Sequence, residues 1–481
     1  MNITSPLIAG VFLLACGASA FSADAPLKQR AIILTDIENE PDDTQSLVRL
    51  LLYSNQIDID ALVATTSTHM RTAIHPDSIR AIVKVYGSVR ANLLAHEAGF
   101  PTEKDLQARV FEGQRAYGMA AVGDGKDTPG SNRIIATLDD ADARPLWIPV
   151  WGGANTLAQA LHTLRATRPE PELKRLIAKL RVYTISDQDD SGAWIRRTFP
   201  NLFYIVSPGG YGNATWGGIH QAIEGIDNET VSNAWLAKNI QQGHGAYGAL
   251  YPDVAYGMEG DTPSFLGLIP TGLSDPEHPD WGGWGGRYER YIPDPKDTDP
   301  NGFNGSVPIE PETRPIWTNA VDSVVSYAPV EVGRAVRPAG KPITSARASV
   351  WRWRDAFQHD FAARMAWTTQ PRATANHPPV ARLAHSDRLT VKAGESFFLD
   401  GTGSSDPDGD SLSYLWINYL EAGSLKAPIP AQGADNVRRA RFVAPDVART
   451  ETAHFILSVT DKGQPSLTRY RRVVVTIEPA R

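Results

Sequence analysis

Arg30-Ala31-Ile32-Ile33-Leu34-Thr35-Asp36-Ile37-Glu38-Asn39-Glu40-Pro41-Asp42-Asp43 is the stretch on which the reading of this chain turns. Its first half is short, apolar and β-branched, which predicts a buried strand over Arg30–Thr35. Its second half packs five carboxylates into eight residues, and a helix is expected to begin near Asp43. One or two acids at a helix start are explained by capping and by the helix dipole. Five are not. Like charges crowded at a strand end repel one another unless a cation neutralises them. A donor set made only of oxygen favours a hard ion, calcium, over zinc.

Outward from this point the pattern alternates. Further strands are expected at Ile57–Thr66, Leu146–Trp151, Arg181–Ser186 and Leu202–Ser207, with helices at Thr44–Tyr53, Ser78–His96 and Thr156–Ala166. Strand followed by helix, repeated, predicts an α/β domain with a doubly wound parallel sheet. Ligands of such sheets bind beyond the carboxyl ends of the strands, which is where the acidic run lies. Trp235–Tyr327 is rich in Gly, Pro and Asp and reads as loops, and Trp351–Trp367 reads as one amphipathic helix. The polar stretch Thr368–Pro379 marks a domain boundary. Beyond it, Leu389–Val391, Ser396–Asp400, Ser413–Trp416, Phe442–Ala444, His454–Val459 and Arg472–Ile477 are short strands separated by turns, the spacing of a small all-β sandwich. The expected organisation is a signal peptide over 1–23, an α/β domain over 26–370 and the sandwich over 376–481.

The net charge of −7 argues against a nucleic-acid partner, because phosphate binding needs clustered Lys and Arg. Residues 6–15 form an apolar run too short to span a membrane, followed by the small-residue patterns Ala18-Ser19-Ala20 and Ala23. This predicts export, to the periplasm or beyond. The only cysteine, Cys16, lies in this segment, so no disulfide is expected in the mature chain. Leu13-Leu14-Ala15-Cys16-Gly17 imperfectly matches a lipoprotein box, which leaves open an outer-membrane lipid anchor on Cys16. Asp280-Trp281-Gly282-Gly283-Trp284-Gly285-Gly286 sets flat aromatic rings among glycines. Such rings suit stacking on sugars. The plainer reading is that they are packed loop anchors.

Asp36-x-Glu38-x-x-x-Asp42-Asp43 resembles the Asp-x-Asp-x-x-x-Asp-Asp turn with which nucleoside hydrolases hold calcium, with Glu in the second place. The resemblance implies that Asp36, Glu38 and Asp43 bind calcium, that Glu38 also takes the proton from the attacking water, and that Asp42 contacts sugar hydroxyls. Val150-Trp151-Gly152-Gly153-Ala154-Asn155 is similar to the family turn whose backbone carbonyl binds the metal, here that of Trp151. Glu259-Gly260-Asp261-Thr262-Pro263-Ser264 would supply the distal calcium-binding Asp261. Two features depart from the family: Gly260 stands where many members carry a His that helps the leaving base depart, and Thr66-Ser67-Thr68-His69-Met70 lacks the expected sugar-binding Asn. The whole chain resembles secreted bacterial nucleoside-hydrolase-like proteins, some labelled cellulose-binding, that pair this domain with a C-terminal immunoglobulin-like one. Gly403-Ser404-Ser405-Asp406-Pro407-Asp408-Gly409-Asp410 and Arg352-Trp353-Arg354-Asp355-Ala356-Phe357-Gln358 are among the segments that carry this likeness.

Asp187 and His69 also follow strands and are weighed as substrate contacts, Asp187 against a helix cap and His69 against an ordinary polar residue. Asp406, Asp408 and Asp410 imitate the start of an EF-hand, but Ser411 and Ile417 stand where it needs Gly and Glu, so a turn is expected there, with a structural ion left open. No serine-hydrolase elbow, zinc-protease motif or phosphate-binding loop occurs. The expectation is an exported calcium-dependent hydrolase of a glycosidic bond, acting on carbohydrate rather than nucleoside through a metal-bound water. The alternatives are a non-catalytic carbohydrate-binding protein on the same scaffold and a periplasmic nucleoside hydrolase.

Overall fold

The computed structural model describes residues 28–206, 215–220, 222–223, 226–294, 307, 310–325 and 342–480. The expected signal peptide, Cys16, Ser207 and Tyr327 lie outside these residues. No helix among the described residues is long and apolar enough to cross a membrane.

The chain opens with β1 (Gln29–Thr35), α1 (Pro41–Leu52), β2 (Ile57–Ala64), α2 (Pro76–His96) and β3 (Val110–Glu112). Then come α3 (Pro129–Asp139), β4 (Leu146–Val150), α4 (Asn155–Thr167), α5 (Glu170–Lys179), β5 (Leu180–Thr184), α6 (Ser191–Thr198) and β6 (Phe203–Val206). All these strands run parallel, in the order β3-β2-β1-β4-β5-β6. β1 is central and buried on both faces. Ala31 and Ile33 face a core shared with α1 and α2, and Ile32 and Leu34 face another shared with α3, α4 and α5. This double burial is why the strand is apolar throughout rather than alternating.

The loop-rich region holds more than loops. β7 (Tyr288–Tyr291) and β8 (Ile316–Asn319) pair antiparallel, and β8 adds them to the sheet beside β6. β9 (Asp322–Val325) and β10 (Pro342–Ser345) form a separate ribbon. The single amphipathic helix expected over Trp351–Trp367 is instead two segments, Ala348–Trp351 and α7 (Arg354–Ala366). The break is a tight turn in which Trp353 N–H donates to Val350 C=O. Nor does α7 have one wet face, because Arg354, Gln358, Asp360 and Arg364 are buried along with its apolar residues.

The C-terminal domain is the expected all-β sandwich. β11 (Arg388–Lys392), β12 (Ser396–Asp400), β13 (Ser413–Asn418), β14 (Arg439–Val443), β15 (Glu451–Thr460) and β16 (Thr468–Glu478) form a four-stranded sheet, β11-β16-β15-β13, and a two-stranded one, β12-β14. Phe397 and Phe442 of the smaller sheet pack on Phe455 of the larger, with ring centroids 5.8 and 4.7 Å away. The two domains share packing. Trp284 is fully buried with Tyr470 edge-on to it, and Arg472 donates to the carbonyls of Leu273 and Gly282. The Trp–Gly run is thus an interdomain anchor.

Candidate functional site

β1 ends at Thr35, and the acidic turn emerges at the carboxyl edge, level with the turns after β2 and β4. Trp151 N–H donates to Leu34 C=O, and Gly153 N–H to Thr66 C=O. The glycines here are spatial requirements. A Cβ on Gly152 would lie 2.7–2.8 Å from the Asp36 carboxylate, and one on Gly153 would overlap Asp189.

Asp36, Asp42, Asp43 and Asp261 converge here, all buried. Asp42, Asp43 and Asp261 each offer an oxygen within 4.8 Å of the others. Asp36 hydrogen-bonds to Ser67 and to Asp43. Thr35 Oγ1 donates to Asp43, and Asp43 N–H donates to Asp42 Oδ1 (3.2 Å). Asp261 Oδ2 is buried with no hydrogen-bond partner. Burial first, then the neighbouring negative charges, push Asp43 and Asp261 well above the usual carboxylate range. Burial raises Asp36 and Asp42 to about 6. Glu40, half-buried at the rim, is raised to about 7 by burial and by Asp42 and Asp36. Carboxylates this close, with a buried unpaired oxygen among them, hold together only by sharing protons or a cation.

Asp261 is 218 residues from Asp43, and a buried network delivers it. Arg49 of α1 pairs with Glu259 at 2.5 Å, Tyr251 OH donates to Glu259 Oε1 (2.6 Å), and Glu259 N–H donates to Gln45 Oε1 (2.9 Å). Glu259 adopts φ 52°, a left-handed conformation that this network over-determines. Ser264 Oγ receives Trp151 Nε1–H (2.9 Å) and donates to Asp261 C=O (2.6 Å).

The remaining predicted residues lie differently. Glu38, at φ 80°, is exposed and turned to Ser78 and to His75 Nδ1 (3.0 Å), so the structure does not bring it into the acid group. The Trp151 carbonyl accepts from Gln188 Nε2 (2.5 Å). Asp187 forms a two-pronged pair with buried Arg196 (2.9 and 2.7 Å) and is not turned to the acids. Its neighbour Asp189 accepts the Asn155 and Ser191 backbone N–H groups and ties β4 to β5. His69 is exposed on the turn after β2, where burial of part of its ring and then Arg71 lower its pKa.

One residue of the site has no counterpart in the sequence reading. Trp216 Nε1–H donates to Asp42 Oδ2 (2.8 Å), and its indole lies against Gly260 so closely that a Cβ there would overlap the ring. The indole therefore fills the room a side chain at position 260 would need. The overlap explains the glycine, but Trp216 is 44 residues away in the chain, so no local pattern discloses the pairing.

Comparison with known families and structures agrees with this geometry. The family described as cellulose-binding Sde182, nucleoside hydrolase-like domain, matches residues 30–288, and the C-terminal domain of cellulose-binding protein Sde0182 matches residues 396–477. A solved structure, a nucleoside hydrolase-related hypothetical protein from Saccharophagus degradans associated with carbohydrate metabolism, is 35% identical with a TM-score of 0.77. That alignment covers 94% of this chain and 100% of that one. The effector protein XOO4466 is 12% identical over 61% of this chain and 88% of that one, with a TM-score of 0.29, too low to carry an argument. Comparison with curated protein sequences finds no match. Spanning most of the α/β domain and recurring in the sandwich, these matches place the chain in the cellulose-binding Sde182 nucleoside hydrolase-like family.

Proposed function

We propose that this protein binds carbohydrate without cleaving it, at the carboxyl edge of the parallel sheet, beside a divalent-cation centre built from Asp36, Asp42, Asp43 and Asp261. The observation that carries this reading is Trp216. Its partly buried indole, with the His220 ring edge-on to it at 5.0 Å, takes the space beside Gly260 and bonds the acid that the family resemblance assigns to sugar hydroxyls. An aromatic face at the rim suits the C–H face of a pyranose. The position of Glu38 agrees, because a base for water would need to reach the acid group. The donor set fits calcium: it is all oxygen, buried, and includes the unpartnered Asp261 Oδ2. A calcium ion there would neutralise the buried charge and supply Lewis acidity. The family's cellulose-binding description supports a β-glucan as the ligand class.

The test pairs binding with turnover. The mature protein is mixed with cellulose and with soluble cello-oligosaccharides in calcium, and both depletion and new reducing ends are measured. Binding without new ends is expected, and Trp216→Ala should weaken it at least about tenfold, as loss of an aromatic anchor does. The second reading, hydrolysis, is favoured by Asp261 Oδ2, an unpaired buried oxygen of the kind a water-activating metal would occupy. Release of sugar, or of base from inosine or uridine, that Glu38→Gln abolishes would establish it.

A further inference from the structure

A positive charge is buried without a counter-ion where the segment 270–281 of the α/β domain meets the sandwich. Arg472 of β16 is 9% exposed. Its Nε and Nη2 donate to Leu273 C=O (3.1 and 2.9 Å), Nη2 donates also to Gly282 C=O (2.9 Å), and Nη1 donates to His454 Nδ1 (3.2 Å). These bonds leave one Nη1 hydrogen of the guanidinium unused. All the acceptors are neutral, and no carboxylate pairs with Arg472 among the described residues. Burial lowers its pKa to about 10, although Tyr419, Asp275 and Asp280 pull the other way. A buried ion held by neutral dipoles alone is costly to keep.

Two more guanidiniums open on the same place. Arg388, at the start of β11, lies over the Trp281 ring at 4.7 Å, and Arg472 faces that ring at 5.7 Å. Arg471 precedes Arg472 and sets its Nη1 beside Gly272. Neither Arg388 nor Arg471 forms an ion pair among the described residues. The three arginines line one cleft of about 160 Å³ with Ser274, Trp281, Asp275 and Asp387. Asp275 is turned to its own loop, where it accepts Glu277 N–H (3.1 Å), and neither acid pairs with a guanidinium among the described residues. Ser274 Oγ is buried and has no partner. The cleft thus joins an excess of positive charge to an unused hydroxyl. We propose that it binds an oxyanion, carried on an acidic sugar or free in solution, which bridges Ser274 of the α/β domain and Arg388, Arg471 and Arg472 of the sandwich. Guanidinium forks match the paired oxygens of a carboxylate, sulfate or phosphate. The anion compensates the buried charge of Arg472. Because its donors come from both domains, it also ties them together. The site uses none of the acids at the sheet edge.

The test titrates the full mature chain calorimetrically with sodium sulfate and with sodium glucuronate. Ionic strength is held fixed with sodium chloride, and glucose is the neutral control. A single site should saturate at millimolar oxyanion. Arg388 and Arg471 are exposed, so their removal spares the core. Arg388→Ala with Arg471→Ala should weaken binding at least about tenfold, as loss of charge-assisted hydrogen bonds does. Tighter binding of glucuronate than of sulfate, with glucose silent, identifies an acidic sugar as the ligand. Sulfate bound as tightly or more so identifies a free oxyanion. No saturable binding of either salt, or unchanged affinity in the double variant, overturns the proposal. If the double variant does not fold, Arg471→Ala alone decides by the same criterion.

Discussion

Gly260 and Trp216 set what the sheet edge can do. Where a hydrolase of this resemblance would carry a leaving-group histidine, an indole lies on a bare backbone and points its N–H at Asp42. A methyl group at 260 has to displace the ring. Gly260→Ala should therefore lower stability by about 1–3 kcal/mol, the usual cost of overpacking. Urea unfolding measures it, and a Trp216→Ala background should remove most of the penalty. Equal penalties in both backgrounds would mean that the indole is not the obstacle. At the same scale, Glu38 shows the limit of motif reading. Spacing places it with Asp36, Asp42 and Asp43, but a left-handed backbone at residue 38 turns its side chain to Ser78 and His75.

Among the elements, α1 organises the site, because it carries Asp42 and Asp43 at its start and Arg49 further along. Arg49 is fully buried, and its ion pair with Glu259 brings in Asp261. Removing one partner of such a pair leaves the other charge uncompensated. Arg49→Met is expected to destabilise the protein by about 3–5 kcal/mol in urea, and Arg49→Met with Glu259→Leu to recover much of that loss. The parallel strands β1, β2, β4, β5 and β6 and the sandwich strands were legible in the sequence because burial on both faces, or alternation with turns, writes itself into local composition, whereas β3, only three residues long, was not. β7 and β8 were not, since four-residue strands among Gly and Pro carry no period. The break at Trp353 is not legible because polar residues such as Arg354, Gln358, Asp360 and Arg364 are buried with the apolar ones, so polarity does not time the turns of this helix. Asp261 is legible only through the family resemblance of its segment, whereas its network, Arg49, Gln45, Tyr251 and Glu259, is non-local and leaves no sign in the chain.

At the scale of the molecule, the two domains meet across a buried polar surface rather than a tether. His454 lies in it, 2% exposed, with Nδ1 accepting from Arg472 (3.2 Å). Burial, then Arg472 and Arg388, lower its pKa to about 3. The folded state keeps this ring neutral, while the unfolded chain protonates it below about 6.5. Stability is therefore lost as pH falls from 6.5 towards 3, by about 1.4 kcal/mol per pH unit for this group. Thermal unfolding of wild type and His454→Gln in saturating calcium isolates it: the difference between the two should shrink steadily as pH falls through that window. A constant difference would show that the ring titrates alike in both states.

The proposed cation centre at the carboxyl edge takes in Asp36, Asp42, Asp43 and Asp261 and leaves Glu38 out. Calorimetric titration of the mature protein with calcium, beside Asp43→Asn and Glu38→Gln, tests it most directly. Asp43→Asn should bind one equivalent fewer than wild type, and Glu38→Gln should match wild type in stoichiometry and within about threefold in affinity. Undiminished binding by Asp43→Asn would contradict the centre itself, and loss of the same equivalent in Glu38→Gln would return Glu38 to the metal and, with it, the hydrolytic reading.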